Sequence, residues 1–278
     1  MIFDARACEL GEGPLWHPVR EQLFWFDILN RTLHSQTRSW TFPEYVSAAG
    51  WLSAEELLVA CETGLFRLEL TTGERQTVAV AGTPETRSND GRADRQGGFW
   101  FGTMGKKAEK GAGAIWRWYR GELRQLFKGI SIPNSICFTP DGTAAHFSDT
   151  TQGKVMKVAL DAQGWPKGEP VVWLDLERAG LNPDGAVIDA EGRFWNAQWG
   201  AGRVACYAPD GVFLHAVETP DAPQSSCPAF GGPGLTTLYV TTALEHMDDE
   251  ARARHPASGQ LFAFPGAGKG LSEPQVTL

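Results

Sequence analysis

Six short aromatic or aliphatic cores recur along this chain, and their spacing constrains the fold more than any other feature. They are Leu23-Phe24-Trp25-Phe26, Glu56-Leu57-Leu58-Val59, Gly98-Phe99-Trp100-Phe101, Ala144-Ala145-His146-Phe147, Arg193-Phe194-Trp195-Asn196 and Thr237-Leu238-Tyr239-Val240. Their third residues lie 33 to 49 positions apart, which is the period of a four-stranded propeller blade, and six such units fill the chain. A turn precedes each core, as in Pro140-Asp141-Gly142 and Ala190-Glu191-Gly192, mostly with hairpin chemistry. A further strand-like segment follows each core, as in Gly64-Leu65-Phe66-Arg67-Leu68. Helical periodicity is confined to one polar insertion, Asp248-Asp249-Glu250-Ala251-Arg252-Ala253-Arg254, so the amphipathic helices of an α/β protein are absent. The expected fold is all-β: a six-bladed β-propeller with four-stranded antiparallel blades around a central channel, one domain over residues 1–278. One chain end should close the ring as an outer strand, because an open edge invites aggregation.

Composition narrows the function. A formal charge of −8 with no compensating basic block argues against nucleic acid as a partner. No apolar run approaches the roughly 20 residues of a membrane span. Met1-Ile2-Phe3-Asp4-Ala5-Arg6 lacks the pattern of a secretory signal. The five cysteines (Cys8, Cys61, Cys137, Cys206, Cys227) are odd in number and widely spaced, which suits reduced, mostly buried thiols in a cytoplasmic protein. A monomer is the default expectation.

In a propeller the first strand of each blade lines the channel. Counting back 11 to 13 residues from each core reaches Glu12, Ser47, Asn89, Asn134, Asp184 and Pro228. These should lie at equivalent heights at one channel mouth. Four are carboxylates or amides, while Ser47 reads as an ordinary strand-start hydroxyl. Desolvated carboxylates repel one another, and a divalent cation with oxygen ligands resolves that repulsion. Arg87 should lie near the rim and Trp199 should supply an aromatic wall, since small polar ligands suit pockets of that kind. Lys106, Lys107 and Lys110 read as a solvated loop, and His246 as a residue more often clear of ligand than touching it. No nucleophile elbow, zinc-protease helix, phosphate loop or EF-hand loop occurs. What remains is a carboxylate-bound metal polarising a carbonyl, with a carboxylate or metal-bound water moving the proton.

Gly11-Glu12-Gly13-Pro14-Leu15-Trp16, Arg87-Ser88-Asn89-Asp90-Gly91, Phe101-Gly102-Thr103-Met104, Pro133-Asn134-Ser135 and Pro183-Asp184-Gly185 together resemble the regucalcin (senescence marker protein)/gluconolactonase family over nearly the full length. Trp195-Asn196-Ala197-Gln198-Trp199-Gly200 and Cys227-Pro228-Ala229-Phe230-Gly231-Gly232-Pro233 look most like its bacterial sugar-lactonase branch. The resemblance implies a six-bladed fold and hydrolysis of sugar lactones at one divalent ion. It also implies Glu12, Asn134 and Asp184 as metal ligands, Asp184 as acid/base, and Arg87 and Asn89 as substrate-binding residues. Some members carry an acidic residue after the Gly-Thr-Met segment that contacts sugar hydroxyls, whereas this chain has Gly105-Lys106-Lys107.

The leading expectation is therefore a metal-dependent hydrolase acting on an aldonolactone. Calcium or manganese is favoured by ligand hardness, with zinc and ferrous iron as alternatives. A non-enzymatic calcium-binding or interaction propeller is the second expectation, and an esterase or phosphotriesterase at the same metal is the third.

Overall fold

The computed structural model describes residues 1–278 and is built of six four-stranded antiparallel sheets. Blade 1 spans residues 11–41, blade 2 46–80, blade 3 86–130, blade 4 133–175 and blade 5 182–218. Blade 6 spans 225–265 and takes its fourth strand from the other end of the chain, where Ile2–Asp4 pairs with Leu261–Pro265. The Met1 ammonium adds a 3.0 Å bond to the Ala263 carbonyl. Ring closure by one terminus is thus as expected. The inner strands Gly11–His17, Val46–Ser53, Thr86–Ala93, Pro133–Phe138, Asn182–Ile188 and Ser225–Gly231 pack each against the next, and the last against the first. The polar insertion forms a short helix, Asp249–Arg254, capped by the Asp248 carboxylate on the Ala251 amide. No helix is long and apolar enough to cross a membrane.

The cores form second strands because their alternate residues fill the gaps between blades. Phe24, Phe26, Leu57 and Val59 join one cluster between blades 1 and 2, and Trp195, Ala197, Phe230 and Val240 join another between blades 5 and 6. Two tryptophans are locked by one repeated device. In Asp94-Arg95-Gln96-Gly97-Gly98-Phe99-Trp100, one Asp94 oxygen accepts from the Gln96 and Gly98 amides, the other from the Trp100 indole at 3.1 Å. Asp189 does the same for the Glu191 and Arg193 amides and the Trp195 indole at 2.8 Å. Each carboxylate thus satisfies both its turn and the buried indole, and an arginine Nε (Arg117 or Arg193) neutralises it.

The channel is closed at the end away from the strand starts. Residues 266–278 run beneath the ring: Val276 donates to the Trp51 carbonyl, Thr277 to the Gly97 carbonyl, and the Trp51 indole to the Glu273 carbonyl. Inside, the Arg92 guanidinium pairs with Glu273 and reaches the carbonyls of Ala186 and Pro228, tying blades 3, 5 and 6 across the axis. Glu273→Ala should destabilise the protein by about 3 kcal/mol in denaturant unfolding, because it leaves a buried guanidinium without its anion. Replacing Arg92 and Glu273 together by methionine should recover most of that loss.

Among the third residues of the six cores, His146 alone carries an imidazole. It is 3% exposed, wedged between Trp173 and Phe194, and neither ring nitrogen has a hydrogen-bond partner. Burial, with the Lys157 ammonium adding to it, pushes its pKa down to about 3. The unfolded chain therefore takes up this proton first, and stability is lost as pH falls from about 6.5 towards 3. His146→Leu should flatten that acid limb by up to ~1.4 kcal/mol per pH unit, read from denaturant midpoints between pH 7 and pH 4.

Candidate metal centre

Every inner strand carries a register shift near its start. The shifts fall between Glu12 and Leu15, Val46 and Ala48, Ser88 and Gly91, Asn134 and Cys137, Pro183 and Ala186, and Ser225 and Cys227. A bulge breaks the alternation of a strand and re-aims the side chains beside it. Glu12 and Asn134 are the last paired residues before their bulges, whereas Asn89 and Asp184 lie inside theirs, so the four heights differ by one position. The residues after Glu12 and Asn134 are left-handed, Gly13 at φ 52° and Ser135 at φ 58°. A Cβ on Gly13 would stand 2.2 Å from the Ser47 carbonyl oxygen, so the neighbouring strand can approach only a glycine.

Two residues of the count fall outside the site. Pro228 lies two positions beyond the bulge residue Ser226, because the 3-10 turn Pro233–Leu235 lengthens the connection to the second strand. Ser47 is buried and donates to the Ser88 hydroxyl at 2.8 Å.

Glu12, Arg87, Asn89, Asn134, Asp184 and Trp199 all line one cavity of about 540 Å³. Arg87 is buried rather than at the rim, with 5% of its surface exposed. A chain of hydrogen bonds crosses three blades. Arg87 Nη1 donates to Asn89 Oδ1 (2.9 Å), Asn89 Nδ2 to Asn134 Oδ1 (3.1 Å), Asn134 Nδ2 to Thr150 Oγ1 (2.8 Å), and Thr150 Oγ1 to the Pro183 carbonyl (2.8 Å). Asn89 Nδ2 also donates to the Pro133 carbonyl at 3.1 Å. The chain fixes which end of Asn134 is oxygen: its nitrogen is held by Thr150, and its oxygen turns towards Asn89 and the cavity.

The two carboxylates are poorly supplied with donors. Glu12 Oε2 accepts only its neighbour's amide, Gly13 N, at 2.9 Å. No side chain donates to Asp184. Instead its main-chain oxygen is clamped by the Ser135 hydroxyl (2.5 Å) and Asn196 Nδ2 (3.0 Å). Burial raises the pKa of both acids; the buried Asp90 beneath them and then Glu245 raise that of Glu12 further, and Glu12 and Asp90 raise that of Asp184, Asp90 itself being pushed up to about 6 mainly by burial. Two unpaired carboxylates and an oriented amide oxygen, dry and facing one cavity, form a donor set that fits a hard divalent cation.

A different cluster has metal-like proximity: Cys8, Asp27 and His34 offer atoms within 4.8 Å of one another. Asp27 is already spent there, because its oxygens accept the Glu9, Leu10 and Asn30 amides and the Asn30 side chain. Burial pushes the Cys8 thiol up to about 12, so it stays protonated. The equivalent Asp149 accepts the Ser131 and Ile132 amides. Both aspartates are loop anchors that hold the segments leading into Glu12 and Asn134.

Lys106, Lys107, Glu245 and His246 also line the cavity. The lysines thus differ from the solvated loop expected of them, and Glu245 adds a carboxylate that no sequence motif marks. The signal available was position, since all four sit in loops that follow second strands and surround the mouth. Ser135 and Asn196, which hold the Asp184 main chain, had no signal beyond their adjacency to the motifs.

Taken together, the fold and the site define a six-bladed propeller with a polar pocket at one channel mouth, built from carboxylate and amide groups suited to a divalent cation. The chain belongs to the SMP-30/gluconolactonase/LRE-like family, whose pattern it matches over residues 10–244. It is 40% identical over 280 residues to a Rhizobium meliloti protein named "Putative sugar lactone lactonase", covering 98% of this chain and 95% of that one. It is 34% identical over 275 residues to the 6-deoxy-6-sulfogluconolactonase of Pseudomonas putida, covering 95% and 94%. A crystal structure described as a calcium-binding protein, regucalcin, from Agrobacterium tumefaciens superposes with a TM-score of 0.97 at 41% identity, covering 100% of this chain and 97% of that one.

In chelator, Asp184→Asn should raise the thermal midpoint, since removing one of two repelling buried carboxylates is worth about 1 kcal/mol or more. Adding a divalent salt should then raise the midpoint of the natural protein and leave that of Asp184→Asn nearly where it was. A larger ion-induced shift in the variant would count against a cation held between Glu12 and Asp184.

Proposed function

We propose that this cavity opens a sugar lactone, an aldonolactone, to the corresponding sugar acid with one divalent cation, and that residues 1–278 act as a single domain around that site. The observation that carries the reading is the pair of buried, donor-poor carboxylates, Glu12 and Asp184, facing a cavity of sugar size. The lactonase names of the relatives support it.

Glu12, Asn134 and Asp184 would hold the ion, with calcium first on ligand hardness and manganese, zinc or ferrous iron as alternatives. When bound, the ion supplies a Lewis acid for the ester carbonyl. Asp184 takes a proton as the water oxygen bonds to the carbonyl carbon, and returns it to the ring oxygen as the ring C–O bond breaks. One water is consumed, and the sugar acid is released as its carboxylate with one proton. Arg87, Asn89 and Trp199 form the substrate wall. Asn89 spends both amide hydrogens on Pro133 and Asn134, so it chiefly orients, while Arg87 keeps Nε and Nη2 free for a substrate oxygen. Trp199 offers a flat face for the carbon side of a sugar. In this reading the protein is a cytoplasmic monomer, in keeping with five buried free thiols.

Asp184→Ala should lower lactone opening by about a hundredfold or more in a pH-indicator assay and abolish metal retention, while the circular-dichroism melt stays cooperative. Full activity in that variant, freed of metal, would overturn the mechanism. The description of the Agrobacterium protein as calcium-binding favours one second reading, metal binding without turnover. Tight calcium retention with no hydrolysis across lactone, aryl ester and phosphotriester panels would establish it, whereas turnover confined to the last two would point to an esterase or phosphotriesterase.

A further inference from the structure

The cavity is polarised across the ring. Its cations, Arg87, Lys106 and Lys107, all come from blade 3, whereas its carboxylates, Glu12, Asp184 and Glu245, come from blades 1, 5 and 6. Blade 3 stands across the ring from blade 6. Lys106 is answered by Glu62 outside the cavity, so Arg87 and Lys107 are left facing three carboxylates, and a divalent ion neutralising Glu12 and Asp184 would leave those two cations in excess.

That side is built to hold its charges. The strand Phe99–Gly105 ends in a tight turn in which Lys106 N donates to the Glu85 carbonyl and Ala108 N to the Gly105 carbonyl, with Ala108 left-handed at φ 55°. Glu109 accepts the Lys107 amide at 3.1 Å. The Lys106 ammonium is shared with Glu62 and the Pro84 carbonyl, while the Lys107 ammonium has no acidic partner. Deeper in, Arg87 is nearly fully buried and pairs with no carboxylate; its only acceptors are the Ser88 carbonyl and Asn89 Oδ1. The cavity carboxylates, Glu245 first, act on it only from a distance, and an incoming anion would add to that counter-charge.

We infer that the preferred substrate is an anionic lactone, carrying a carboxylate, sulfonate or phosphate at the end of the sugar remote from the ester, and that Lys107, with Lys106, docks that group. The inference rests on the lactonase reading for its substrate but on blade 3 for its charge. The ester faces Glu12 and Asp184, the body of the sugar lies along Trp199, and the anionic end meets the lysines at the mouth. Such electrostatic selection weakens with salt.

The test uses the metal-loaded protein and two readouts. In the first, an anionic lactone and its neutral analogue of the same ring size are compared at low and high salt. The anionic one should show kcat/KM about tenfold higher, carried by KM, with the gap narrowing in salt. In Lys106→Ala/Lys107→Ala, and more so in Lys107→Glu, the anionic-to-neutral ratio should fall by about tenfold. In the second, calorimetry compares glucaric acid with gluconic acid, and the dianion should bind about tenfold tighter in the natural protein and lose that advantage in the variants. Neutral lactones opened as well as anionic ones, with the two acids bound equally, would overturn the inference and leave the lactonase reading intact. Preferential, lysine-dependent binding of glucaric acid without opening of either lactone would overturn the lactonase reading and leave the anion site standing. A circular-dichroism melt of each variant excludes misfolding as the cause.

Discussion

The bulge at the head of every inner strand is the constraint on which the site depends. Six strands converging on one axis leave no room for ordinary alternation of side chains at the mouth, and the extra residue in each strand resolves this by turning polar groups inwards. The cost is backbone that must be held. Ser135 sits at a positive φ without being glycine, and its hydroxyl donates to the Asp184 carbonyl while accepting from Ser148 and Asn196. On the opposite side, Ser226 donates to the Gly11 carbonyl at 2.5 Å, next to Glu12. Hydroxyls thus pin the main chain beside both carboxylates, so Glu12 and Asp184 are aimed by the backbone that neighbouring blades hold, with no side chain bonded to their own oxygens.

Charge is layered along the channel. Glu12 and Asp184 lie at the mouth, Asp90 lies below them with bonds from the Gly91 and Ile136 amides, and the Arg92–Glu273 pair closes the far end. The lower carboxylates find partners within the protein, Asp90 in two amides and Glu273 in Arg92, whereas no side chain donates to the upper pair. That contrast is what separates a structural channel from a binding site here, because a fold that can neutralise Asp94 and Asp189 with arginines could have done the same at the mouth. The tail of residues 266–278 also makes the channel blind. Ligand must enter and leave by the mouth, past the loops of blades 3 and 6.

Much of this was legible because the propeller is a repeat. A period of 33 to 49 residues sets the blades, and a fixed count back from each core reaches the mouth, so Glu12, Asn89, Asn134 and Asp184 could be placed together without coordinates. The count fails where a connection changes length, as at Pro228, and it cannot say how deep a side chain lies, as at Arg87. The repeated Asp-x-x-Gly-x-Phe-Trp segments at Asp94 and Asp189 were visible as turns, but the indole bond is a three-dimensional fact. Loop residues were least legible. Lys107 and Glu245 have no periodic signal; strand order places their loops around the same opening, and only the fold shows which of the loop side chains face it.

This division follows from where each group is anchored. Glu12, Asn134 and Asp184 sit on strands packed on both sides by other blades, so their positions are over-determined and a change in one loop would leave them in place. Lys106, Lys107, Glu245 and His246 sit on connections whose length and charge can vary without disturbing a sheet. The inner strands can therefore keep one chemistry while the rim sets which ligand reaches it. In the proposed lactonase the balance of charge between the blade 3 loop and the blade 6 loop would select the substrate, and the member of that balance with no acidic partner is the Lys107 ammonium.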